Sequence, residues 1–152
     1  MSLENLLQQV RACQICAESL PLGANPVVQA GKNARILIIG QAPGTKVHST
    51  SIPWNDPSGD RLRQWLDIDK DEFYDPNKIA IVPMGFCYPG KGNSGDLPPR
   101  KECAPTWHKK NSRTAPQYRV DSAYWSVLSA VLPHQQAQNS HANRSAMARL
   151  GT

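Results

Sequence analysis

Leu3, Leu6, Leu7 and Val10 recur at helical spacing behind Ser2, a residue suited to capping, so the chain is expected to open on a helix of about ten residues. That helix runs into Cys13-Gln14-Ile15-Cys16, and residues 20–32, rich in Pro and Gly, read as loop. Ala34-Arg35-Ile36-Leu37-Ile38-Ile39-Gly40 is then a nearly continuous apolar run with β-branched members. Such a run predicts a strand buried on both faces of a parallel sheet. After a loop over residues 45–58, Leu62, Trp65, Leu66 and Ile68 predict a second helix, and Ile79 to Met84 a second buried strand ended by Pro83. A further Gly/Pro-rich loop covers residues 88–99, and a short helix is expected to carry Cys103.

The chain's 152 residues suffice for one domain with a core of its own. No stretch has the apolar length needed to span a bilayer, and the first residues lack the basic start and apolar run of a signal peptide, so a cytoplasmic protein is expected. A net charge of +5 suggests nucleic acid as a partner, but its placement alters that inference. Acidic and basic residues balance over 1–108, whereas 109–152 carry Lys109, Lys110, Arg113, Arg119, Arg144 and Arg149 against Asp121 alone. The excess therefore lies in a tail rich in Ser, Ala, Gln and Asn, whose one apolar patch runs from Tyr124 to Leu132. That tail could hold phosphates without sequence preference. Residues 135–144 read as weakly structured.

Four cysteines in a chain of cytoplasmic character point away from disulfides and toward metal ligation. Cys13 and Cys16 form a C-x2-C turn that lets two soft, anionic donors converge, and Cys87 and Cys103 can complete a set of four. Structural zinc usually takes two short knuckles, and the wide spacing of the second pair favours an iron–sulfur cluster over zinc. Four unrelated buried thiols are the plain alternative. Gly40-Gln41-Ala42-Pro43-Gly44-Thr45-Lys46 is not a Walker A loop, which needs Gly before the Lys and Ser or Thr after it. It is a turn at the C-terminal end of a buried strand, the edge where open α/β sheets take their ligands. Asp67, Asp69 and Asp71 begin like a calcium loop, but Glu72 and Lys78 stand where that loop needs Gly and Glu. Trp54, among the turn residues of Pro53 to Gly59, either packs on the sheet edge or stacks on a planar base.

In order and spacing, Cys13/Cys16, Gly40-Gln41-Ala42-Pro43-Gly44, Pro53-Trp54-Asn55-Asp56-Pro57-Ser58-Gly59 and Cys87/Cys103 resemble the iron–sulfur branch of the uracil-DNA glycosylase superfamily, over residues 1–108. The resemblance implies an α/β fold of three layers, α/β/α, around a parallel sheet. It implies cleavage of the N-glycosidic bond of uracil or another damaged base, with single-stranded or damaged DNA as partner and a monomer as the acting unit. It also implies a structural [4Fe–4S] cluster held by Cys13, Cys16, Cys87 and Cys103. Gln41 and its neighbours Ala42 and Gly44 would supply the loop whose N–H groups face the departing base, and Trp54 would stack on it.

The departures from the family pattern are specific. Gln41 replaces the family's Glu, and Pro83 stands where the family has the Asn that reads the base, with no side-chain donor or acceptor. Asp56 is the nearest candidate for the missing carboxylate, and His48 a further polar candidate. No His-Pro-Ser loop follows His108, and the sheet lacks the later strands that would cover its edge. A non-catalytic iron–sulfur or zinc module binding nucleic acid through its tail is the alternative these departures favour. The abrupt change of composition marks residues 109–152 as a replaced or frame-shifted terminus. Translation of the coding DNA in the other frames is expected to show a His-Pro-Ser downstream of residue 108; its absence from every frame counts against the frame shift.

Overall fold

A computed structural model describes residues 2–108 and the backbone of residues 147 and 148. The opening helix α1 spans Leu3–Arg11; Ser2 Oγ accepts from the Asn5 N–H at 3.2 Å, which satisfies one of the amides a helix start leaves unpaired. Its apolar stripe of Leu3, Leu6, Leu7 and Val10 is buried, as the spacing predicts.

Strands β1 (Ile36–Ile38) and β2 (Ile79–Ile81) pair in parallel, Ile36 opposite Ile79 and Ile38 opposite Ile81. Between them lie α2 (Thr45–Thr50), α3 (Pro57–Leu66) and α4 (Lys70–Phe73). Side chains that alternate along β1 enter two different cores. Leu37 and Ile39 join α1, Val82 and Phe86, while Ile38 joins Leu62 of α3 and Phe73 of α4. The strand is thus buried on both faces, except that Ile36, at its start, is exposed. The second helix also departs from expectation. Gly59, Leu62 and Arg63 are its buried residues, and Trp65 falls off that stripe into solvent.

The β1–β2 ladder continues past both strands. Val82 N–H donates to the Ile38 carbonyl (3.0 Å), Met84 to Gly40 (2.9 Å) and Gly85 to Gln41 (2.8 Å). Pro83 therefore does not end this pairing. Ile81 N–H points the other way, to the Gln29 carbonyl, so the N–H that Pro83 lacks is one that would face the 27–29 segment rather than β1. That segment edges the sheet: Gln29 bridges Ile81 antiparallel, and its Nε2 donates to the carbonyls of Phe73 (3.0 Å) and Ile79 (2.9 Å).

The loop after Tyr88 forms a hairpin of β3 (Lys91–Gly92) and β4 (Gly95–Asp96). The other edge of β1 pairs antiparallel with β5 (Met147–Ala148), Leu37 opposite Ala148. A strand at this place was not foreseen, and it changes the expectation of an uncovered edge. Exposed ladder groups seek any backbone that can pair with them. The apolar patch at 124–132, the rest of the basic tail and its boundary lie outside the described residues.

Cys103 opens a helical turn that continues through Ala104–His108. His108 Nε2–H donates to the Met84 carbonyl at 3.0 Å, and the ring stacks on Phe86 at 5.3 Å. Burial holds this imidazole below its ordinary value, against the opposing pull of the Met84 carbonyl. The unfolded chain therefore binds the proton first as pH falls, and the neutral ring's contribution to stability is present above the unfolded value and lost below it. Lowering pH from about 7.5 to about 5.5 is expected to lower the urea midpoint, and His108→Gln to make that dependence shallower.

Candidate base-binding and thiol sites

The ladder bonds at the Gly40 and Gln41 carbonyls hold the 40–44 loop at the C-terminal end of β1. Pro43 is buried and Gln41, Ala42 and Gly44 are half-buried. Gly44 caps α2 in extended conformation, and its carbonyl accepts from the His48 N–H at 2.9 Å. The Trp54 indole lies against this loop. A Cβ added to Gly40 would meet its Cζ2 at 3.3 Å, so the glycine is what lets the ring approach the backbone next to Gln41.

Trp54 takes up a left-handed conformation (φ 56°), strained for a bulky side chain. Its carbonyl turns into the start of α3, where a Cβ on Gly59 would collide with it. Arg63, although charged, is 5% exposed. Its Nη1 donates to the Trp54 carbonyl (3.2 Å) and to Tyr74 Oη (3.1 Å), and its Nη2 pairs with Asp60 at 2.7 Å. Tyr74 Oη–H donates in turn to the Pro53 carbonyl at 2.9 Å. The guanidinium carbon lies 5.0 Å from the Phe73 ring centroid and 5.6 Å from that of Tyr74. Burial raises the Tyr74 phenol above its ordinary value despite the neighbouring Arg63, so at neutral pH it keeps the proton it donates.

Asp56 is the N-cap of α3. Its Oδ1 accepts from the Gly59 N–H at 2.8 Å, and Pro57 follows in the first turn. That capping accounts for an Asp at this position. A different carboxylate approaches the loop from β4: Asp96 Oδ2 lies 3.9 Å from where a Gly44 Cβ would be. The His48 ring meets Tyr88 edge-on at 6.4 Å, with its Nδ1 buried and, among the described residues, without a hydrogen-bond partner. Trp54 therefore meets the loop at Gly40, next to Gln41, and Pro83 is buried in the ladder. Asp96, Arg63 and Tyr74 went unnamed in the sequence. Arg63 was signalled only by sharing the 59–62–63–66 stripe of α3, and the other two by nothing local.

All four cysteines, each a free thiol, line one pocket. Leu20, Pro26, Phe86 and Trp107 complete its apolar wall, and the Arg100 side chain reaches Cys16. Cys13 and Cys16 are half-buried; Cys87 and Cys103 are buried. Burial pushes the Cys87 thiol up to about 11 and raises Cys103 as well, and the neighbouring sulfurs raise both further. Metal binding at such thiols must displace their protons. Among the described residues no three His, Cys, Asp or Glu side chains form a group able to hold a metal ion. Four thiols are soft donors once deprotonated, a donor set whose chemistry suits iron or zinc.

A parallel strand pair with helices between its strands defines an α/β protein, and a glycine-bounded turn with an aromatic against it lies at the C-terminal end of β1. Residues 28–120 match the family model of the uracil DNA glycosylase superfamily, and the chain belongs to that superfamily. The match includes the 40–44 loop, the 53–59 loop, Cys87 and Cys103, and begins after Cys13 and Cys16.

The Trp54 carbonyl leaves no room beside residue 59. Gly59→Ala is expected to destabilise the protein by about 2–4 kcal/mol, seen as a lower urea midpoint, since either the left-handed loop or the start of α3 must give way.

Proposed function

We propose that this chain is a uracil-DNA-glycosylase-like enzyme acting on uracil or another damaged base in DNA, and that its four cysteines hold a structural [4Fe–4S] cluster. The observation that carries the catalytic part is the Trp54 indole on Gly40, directly beside the Gln41–Gly44 turn. A base flipped from DNA finds a stacking face there, beside the backbone N–H groups of a turn, and flipping costs least from single-stranded or damaged DNA. Those N–H groups stabilise the negative charge that the leaving base acquires. Asp56 stands in the 53–59 loop as the cap of α3, and Asp96 Oδ2 lies 3.9 Å from where a Gly44 Cβ would be. The α1 side and the α3–α4 side of β1 are read as the outer layers of a three-layer α/β/α domain.

Cys13, Cys16, Cys87 and Cys103 would hold the cluster, which would tie the end of α1 to the segment after β2. The support is their convergence on one apolar pocket, with Arg100 supplying positive charge beside Cys16. The cluster supplies cross-linking and takes no part in bond cleavage.

Base stacking on an aromatic is worth about 1–3 kcal/mol, so Trp54→Ala is expected to lower kcat/KM for uracil release from a single-stranded oligonucleotide by roughly 5- to 150-fold. Salt-sensitive DNA binding with no abasic sites from the wild-type chain would replace the enzyme reading with that of a binding module. Protein purified without oxygen is expected to hold about four irons and as much acid-labile sulfide per chain. An iron-free, colourless protein would remove the cluster from the proposal.

A further inference from the structure

We infer that Arg63 and Tyr74 are positioning residues that set the Trp54 stacking face by gripping two successive carbonyls behind it. The inference deepens the reading of Trp54 as the base platform and rests on it.

The strain at Trp54 needs a cause. A bulky residue at φ 56° persists only where its surroundings over-determine it, and such residues gather at binding sites. The surroundings here are specific. Tyr74 Oη–H holds the Pro53 carbonyl and Arg63 Nη1 holds the Trp54 carbonyl, so the peptide units on both sides of the Trp54 Cα are fixed. The two grips are joined, because the same Nη1 donates to Tyr74 Oη. Asp60, one turn before Arg63 on α3, aims the guanidinium through its Nη2, and the Phe73 ring from α4 lies under it.

Burying a guanidinium is costly unless its donors are used, and an apolar side chain at position 63 would pack against Leu62 and Phe73 without that cost. What an apolar residue could not do is hold the Trp54 carbonyl in a left-handed turn. With both peptide planes fixed and Gly40 receiving the ring, the indole is set before a base arrives, so its ordering is not charged against binding.

The test uses the full chain. Tyr74→Phe keeps the ring and removes both hydroxyl bonds; Arg63→Lys keeps the charge and removes the fork, and serves as the second variant. The Trp54 indole N–H resonance, assigned by its loss in Trp54→Phe, reports the platform without any need for activity. In both variants it is expected to shift or broaden, alongside a lowered thermal midpoint. KM for uracil-containing single strands is expected to rise roughly fivefold in Tyr74→Phe, the size of one lost hydrogen bond, with kcat changed less. An unmoved resonance in both variants would overturn the inference, as would a lowered midpoint with resonance and KM unchanged, which marks a purely structural network. If Trp54→Ala leaves KM unchanged, the stacking reading fails, and the inference built on it fails too. If Trp54→Ala raises KM while Tyr74→Phe and Arg63→Lys do not, only the clamp fails.

Discussion

The parallel ladder between β1 and β2 and its continuation beyond both strands are what the remainder of the molecule rests on. A three-residue strand pair is short, and its further bonds, from Val82 to Ile38, Met84 to Gly40 and Gly85 to Gln41, carry the register into the loops. Those bonds hold the 40–44 turn at the sheet edge and direct the chain toward Phe86 and Cys87. One set of backbone bonds therefore positions the 40–44 turn on one side and the thiol pocket on the other.

The two cores follow from that sheet. Leu37 and Ile39 face α1, which ends at the first cysteine pair, and Ile38 faces α3 and α4, which carry the grip on Trp54. The alternation of side chains along one strand thus connects the half of the molecule that carries the thiols to the half that carries Trp54. Strain at Trp54 and buried charge at Arg63 are both unfavourable alone. They are found together because each satisfies the other: the guanidinium gains an acceptor and the carbonyl gains a donor in a place water reaches poorly.

Membership of the superfamily gives the sheet edge its meaning, and this chain's departures give it its character. Gln41 is joined to Gly85, past the end of β2, through its carbonyl, Pro83 lies in the ladder at a position where its missing N–H costs nothing toward β1, and Asp96 comes to the loop from a hairpin.

Periodicity and residue chemistry alone determined much of this. The α1 stripe, the two buried strands and the turn after β1 were legible, because each depends on local spacing or on residue type, whereas a place for Trp54 beside that turn was expected only from the family resemblance. Which side chains of α3 face inward was decided by where that helix lands. A stripe of Gly59, Leu62, Arg63 and Leu66 reads as broken by charge until Tyr74 and the Trp54 carbonyl supply partners for the guanidinium, and Trp65 reads as core until it falls off the stripe. The capping role of Asp56 and the approach of Asp96 to Gly44 belong to the same class. The physical reason is that burial of apolar groups needs only a pattern, whereas burial of polar ones needs a particular partner, and partners distant in sequence meet only in the folded chain.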